Sequence, residues 1–102
     1  MIKHIILWRI NENYNEKDKE RIKKEAKAAL EGLVGKIDGL VSMYVETRSL
    51  PSSNADMMLV STFTDAKALE GYRVSPVHNA VADSFVRPYM VSRLCLDFPE
   101  EE

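Results

Sequence analysis

Residues 2–10, Ile-Lys-His-Ile-Ile-Leu-Trp-Arg-Ile, set the tightest constraint on how this chain folds. In an extended strand Ile2, His4, Ile6, Trp8 and Ile10 share one face, and Lys3, Ile5, Leu7 and Arg9 share the other. Both faces are apolar in the middle, so the strand needs cover on both sides. Residues 40–48 read as a second strand, with Val41, Met43 and Val45 against Leu40, Ser42, Tyr44 and Glu46. Residues 57–64 form a third, in which Met57, Leu59, Ser61 and Phe63 alternate with Met58, Val60 and Thr62. Residues 89–98 form the last, with Met90, Leu94, Leu96 and Phe98 opposite Tyr89, Val91, Arg93 and Cys95.

Helices separate these strands. Asn15 is a suitable N-cap, and Asp18 puts negative charge at the positive end of the helix dipole. Ile22, Ala26, Ala29, Leu30 and Leu33 then recur at helical spacing, and Gly35 is the expected stop. Thr64-Asp65 caps a short helix carrying Ala68, Leu69 and Tyr72; Ser75-Pro76 restarts it, with Val77, Val81 and Phe85 at i, i+4 and i+8, and Pro88 ends it. The order is β-α-β-β-α-β, an α+β arrangement of the ferredoxin-like kind with a four-stranded antiparallel sheet. Two right-handed crossovers place both helices on one face of that sheet. The face carrying Ile6 and Trp8 would then lie open, a larger apolar patch than monomers ordinarily expose. The expectation is a homodimer closed sheet to sheet with two-fold symmetry, a dimeric α/β barrel that is packed solid or holds a small ligand.

Composition narrows the function classes. Sixteen acidic against fourteen basic residues leave a net charge of −2 with no basic tract, which argues against nucleic acid as a partner. Ten acidic and basic residues of the first helix interleave, so its lysines form a solvated face with i,i+4 pairs. No apolar run approaches the ~18 residues of a membrane span. The start lacks the pattern of a signal peptide, and the single Cys95 cannot form an internal disulfide; both fit a cytoplasmic protein. One domain is expected over residues 1–98, with residues 99–102 a disordered acidic tail.

The opening Ile2-Lys3-His4-Ile5-Ile6-Leu7 resembles the first strand of the stress-responsive dimeric α/β barrel (Dabb) family, and the closing Leu96-Asp97-Phe98 resembles its last. The most specific likeness is to that family's Tyr-x-x-His-Pro-x-His motif, here Tyr72-Arg73-Val74-Ser75-Pro76-Val77-His78. Ser75 stands where the motif has its first His, and it preserves a helix cap. The resemblance implies a ferredoxin-like subunit in a dimeric barrel. Plant polyketide cyclases of this kind use a Tyr and a His of the motif and a first-strand His lining the pocket. Carried over by position, these are Tyr72, His78 and His4.

Tyr72 and His78 are therefore the candidate catalytic pair, and His4, Ile6, Trp8 and Tyr44 the candidate ligand-binding set. His78 falls in the first turn of a helix, whose partial positive charge disfavours imidazolium and leaves a neutral ring able to act as a general base. In the expected chemistry His78 removes a proton from a carbon flanked by carbonyls. Tyr72, which could also share a proton with His78 or orient it, donates a hydrogen bond to the enolate, and the carbanion closes onto a second carbonyl. No cofactor is needed. With two His and one Cys and no close ligand pair, no metal site is expected. The ligand would be a small, mostly apolar carbonyl compound. Two other readings compete. One is a non-catalytic dimer for binding or assembly, with His78 and Tyr72 serving the helix junction. The other is a small monooxygenase acting without a cofactor.

Overall fold

The computed structural model describes residues 1–100 of the chain. Strand β1 spans Ile2–Ile10 and is followed by helix α1, Glu16–Glu31. Strands β2, Leu40–Glu46, and β3, Met57–Phe63, come next in the chain. Helices α2, Ala66–Val74, and α3, Pro76–Phe85, are separated by Ser75; a 3-10 turn, Arg87–Tyr89, leads into β4, Met90–Pro99. The sheet is four-stranded in the order β2-β3-β1-β4, and each neighbouring pair runs antiparallel. This is the ferredoxin-like order expected from the sequence, with its second helix broken in two. Among the described residues no helix is long and apolar enough to cross a membrane.

The helix boundaries follow local hydrogen bonding. Asn15 caps α1 by accepting from the Asp18 amide at 2.8 Å, and Asp65 caps α2 by accepting from Ala68 at 2.8 Å. Helix α1 ends at Glu31, one turn before the expected stop; Gly35 does adopt the left-handed conformation, φ 90°, but in the turn beyond the helix.

The strand faces are the reverse of those expected. Ile6, Trp8 and Ile10 are covered by the chain's own helices, packed with Ile22, Ala26 and Leu30 of α1 and with Leu69 and Tyr72 of α2. The open face belongs to the other set. Register places Ile5 and Leu7 beside Leu96 and Leu94 of β4 and beside Val60 and Met58 of β3. Leu94 is 68% and Leu96 64% exposed, and Phe98 and Tyr44 share this surface. Alternation could not decide the matter, because both faces of β1 are apolar.

Two bulges shift other residues. One in β2 makes Val41 the extra residue, so Leu40 joins Met43 and Val45 in the core while Val41 is exposed. The other, between Arg9 and Ile10, brings Met90 opposite Ile10. Helix α3 buries Ala82 and leaves Val77 exposed, so His78, not Val77, turns inward. Strand β4 continues through Pro99, and the Glu100 amide donates to the Met1 carbonyl at 2.9 Å. Of the expected tail, residues 101–102 lie outside the described residues.

Gly39 marks a tight approach between the β2 entry and α2. Its φ is 81°, its carbonyl accepts from the Thr64 amide at 2.9 Å, and a Cβ there would run into the Cβ of Ala68. Gly39→Ala combines left-handed strain with a clash against the Ala68 Cβ, so a loss of about 2–4 kcal/mol is expected in urea unfolding monitored by circular dichroism.

Candidate functional site

Helices α2 and α3 cover only part of β1 and β4. Between them and the sheet lies a cavity of about 490 Å³. Its apolar wall is Ile6, Trp8, Leu30 and Leu59; Tyr72 and His78 line it from the helices, and His4 and Cys95 from the strands.

Ser75 builds the helical side. With φ −65° and ψ 126° it is extended, so α2 ends and α3 starts in a new direction. Its hydroxyl oxygen accepts from the His78 amide at 3.4 Å, Pro76 occupies the first turn without losing a bond, and the Asn79 side chain ties the joint by donating to the Ser75 carbonyl at 3.0 Å. The break folds His78 back over Tyr72. Their rings stack with centroids 3.9 Å apart and planes 26° from parallel. Tyr72 thus orients His78 by stacking, and no hydrogen bond joins the two side chains.

The environment sets both protonation states. Burial, with Arg87 nearby, lowers the His78 pKa to about 4, so the ring is neutral at pH 7. Its Nδ1 is buried with no hydrogen-bond partner among the described residues. Burial raises the Tyr72 phenol well above its ordinary value, against the pull of Arg93 and Arg87, so Tyr72 stays a proton donor. Tyr72 also meets Phe63 and His4 in tilted and edge-on contacts at 5.1 and 6.1 Å.

His4 is buried on the sheet floor, and its Nδ1 is hydrogen-bonded to the Asp97 carboxylate directly across from it in the β1–β4 register. Cys95, two residues before Asp97 on the same face, lies 3.5 Å from the carboxylate and 3.8 Å from His4 Nδ1. Burial and the Asp97 charge push its thiol above the ordinary range, which keeps it a poor nucleophile. Cross-strand pairing thus gathers one set of three ligand-type side chains, His4, Cys95 and Asp97, that sequence spacing did not show. With Nδ1 already engaged by Asp97, this arrangement is a carboxylate-oriented histidine.

Of the residues singled out from sequence, His4, Ile6, Trp8, Tyr72 and His78 line one cavity. Tyr44 does not. It sits on the open face, where the Lys27 ammonium lies 4.2 Å over its ring and its hydroxyl donates to Glu46 at 3.0 Å. The cavity is also placed differently: it lies beneath the subunit's own helices, on the face opposite the open one. Sequence reasoning missed Asp97 and the rim arginines Arg73, Arg87 and Arg93. The available signals were a carboxylate inside an otherwise apolar strand and the fact that every cation after Lys67 is arginine.

No curated protein matches this chain in sequence. Solved structures do match it in fold. A dimeric protein of unknown function and ferredoxin-like fold from Bacteroides fragilis superposes with a TM-score of 0.88 at 25% identity, covering 95% of this chain and 93% of that one. A dimeric ferredoxin-like protein of unknown function from Thermobifida fusca gives 0.76 at 23% identity, over 95% and 88% of the two chains. A hydroxynitrile lyase from Passiflora edulis gives 0.71 at 17% identity, over 99% and 94%. The model of the stress responsive A/B barrel domain matches residues 2–100, and with the ferredoxin-like sheet in place this chain belongs to that family, Dabb.

Proposed function

We propose that this protein binds a small, mostly apolar carbonyl compound in the helix-side cavity and moves a proton on it with Tyr72 and His78. The observation that carries the reading is the stacked pair itself: a neutral His and a protonated Tyr lining one cavity of about 490 Å³. Space for a ligand beside His78 favours this over a dimer whose interior is packed solid. The fold also carries a lyase, the Passiflora edulis relative.

The division of labour follows from protonation state. His78, neutral and lining the cavity, takes a proton from a carbon next to a carbonyl. Tyr72, still protonated, donates to the oxygen on which negative charge develops. His4 presents its ring from the floor, fixed by Asp97, and hydrogen-bonds the ligand. The probe is ethyl benzoylacetate, whose methylene protons exchange in D₂O and are followed by NMR. Protein-accelerated exchange is expected. His78→Gln should slow it by about 10²-fold and Tyr72→Phe by about tenfold or more. Unchanged exchange in both variants would refute the assignment. Because the base form of His78 persists down to about pH 4, the rate should hold through 6.5 and fall only as that lower value is approached.

The open sheet face supports a homodimer, as described for the Bacteroides fragilis and Thermobifida fusca relatives. In this reading Leu7, Leu94, Leu96 and Phe98 meet their copies across a two-fold axis, and the two sheets close a barrel. The cavity lies outside that barrel, so dimer and site are separable. Leu94→Glu combined with Leu96→Glu should convert a dimer to a monomer in light scattering while far-ultraviolet circular dichroism is retained. A double variant that stays dimeric would place the interface elsewhere.

A further inference from the structure

The cavity has an apolar wall and a basic mouth. Arg73 comes from the last turn of α2, Arg87 from the 3-10 turn, and Arg93 from β4 opposite Trp8. Three separate elements thus bring an arginine to the lining of one cavity.

Two of the three, Arg73 and Arg93, differ from the other arginines of the chain in their partners. Arg9 pairs with Glu12, Arg21 with Glu25 and Arg48 with Glu46. Arg87 is fixed by Asp83 at 2.7 Å and by the Asn79 side-chain oxygen at 3.0 Å. Arg73 and Arg93 have no carboxylate in ion-pair contact among the described residues. The nearest acid on the strand face, Asp97, is committed to His4.

We propose that Arg73, Arg87 and Arg93 form an oxyanion subsite at the cavity mouth, so that the ligand is an apolar body carrying a carboxylate or a phosphate. This rests on the reading that the cavity takes a ligand. It adds the class of ligand. A guanidinium presents a planar fork that binds either oxyanion through two parallel hydrogen bonds. With the anion held at the mouth, the apolar part reaches Ile6, Trp8, Leu30 and Leu59, and a carbonyl between the two ends meets Tyr72 and His78. The same arginines act electrostatically on groups lining the cavity. Arg87 and Arg93 act on Tyr72 and His78, and Arg73 and Arg93 on the Cys95 thiol. Their field also favours an enolate forming beside them.

Isothermal titration calorimetry with three probes tests this: 2-naphthoate, 2-naphthyl phosphate and the neutral 2-acetonaphthone. At least one anion should bind at least about tenfold tighter than the ketone. The advantage should shrink in 0.5 M salt and vanish in Arg73→Gln/Arg93→Gln, whose exposed positions leave the fold intact. Tighter naphthoate assigns a carboxylate, and tighter naphthyl phosphate assigns a phosphate. The subsite is refuted if the ketone binds as tightly as both anions, or if the double variant keeps the preference. Ketone binding with no anion advantage sinks the subsite and leaves the cavity reading standing. No binding by any probe sinks both.

Discussion

A sheet apolar on both faces, with helices enough for one, is the constraint on which this molecule is built. Burial of Ile6, Trp8 and Ile10 against α1 and α2 forms the core inside a single subunit. Apolar burial at ~25 cal/mol per Å² makes that face the folding face. The other face is left with Leu94, Leu96 and Phe98 exposed on the edge strand, which a second sheet would cover. One imbalance between strand and helix area therefore underlies both the fold and the proposed assembly.

The cavity comes from the same shortage of cover. Helix α3 turns away at Ser75, so β4 extends past the helices and the space beneath them stays open on one side. Had α2 and α3 been one straight helix, His78 would follow Tyr72 at an offset of six residues and could not stack on it. The break closes the ring centroids to 3.9 Å. It also puts His78 in a first helical turn, where the dipole, burial and the nearby Arg87 all disfavour the charged ring. Geometry and protonation state thus have one local cause. Replacing the family motif's first His with Ser75 keeps that cause, because the position acts as a cap.

Much of this was readable in the residues. The caps at Asn15, Asp65 and Ser75-Pro76 are local side-chain-to-backbone bonds, and local bonds leave local signatures. The strand order followed from segment types and lengths. What the sequence concealed was relational. With both faces of β1 apolar, period-two alternation cannot say which face the helices take, and the expectation chose the wrong one. That single inversion moved the expected ligand space from the barrel interior to the helix side and misplaced Tyr44. The bulges at Val41 and Arg9/Ile10 each shift a strand by one residue, which reverses the faces beyond them. Asp97 and the mouth arginines were hidden because their meaning depends on cross-strand register. His4 and Asp97 lie at opposite ends of the sequence and meet only when β1 pairs with β4.

In the proposed function the ligand space lies beneath the subunit's own helices and not between two sheets. Intermolecular NOEs from 2-acetonaphthone to assigned methyl groups locate the bound ring directly. Contacts to Ile6, Leu30 and Leu59, the wall of the helix-side cavity, are predicted. Contacts to Leu94, Leu96, Val60 and Met58 instead would put the ligand between the sheets and rule out the helix-side site.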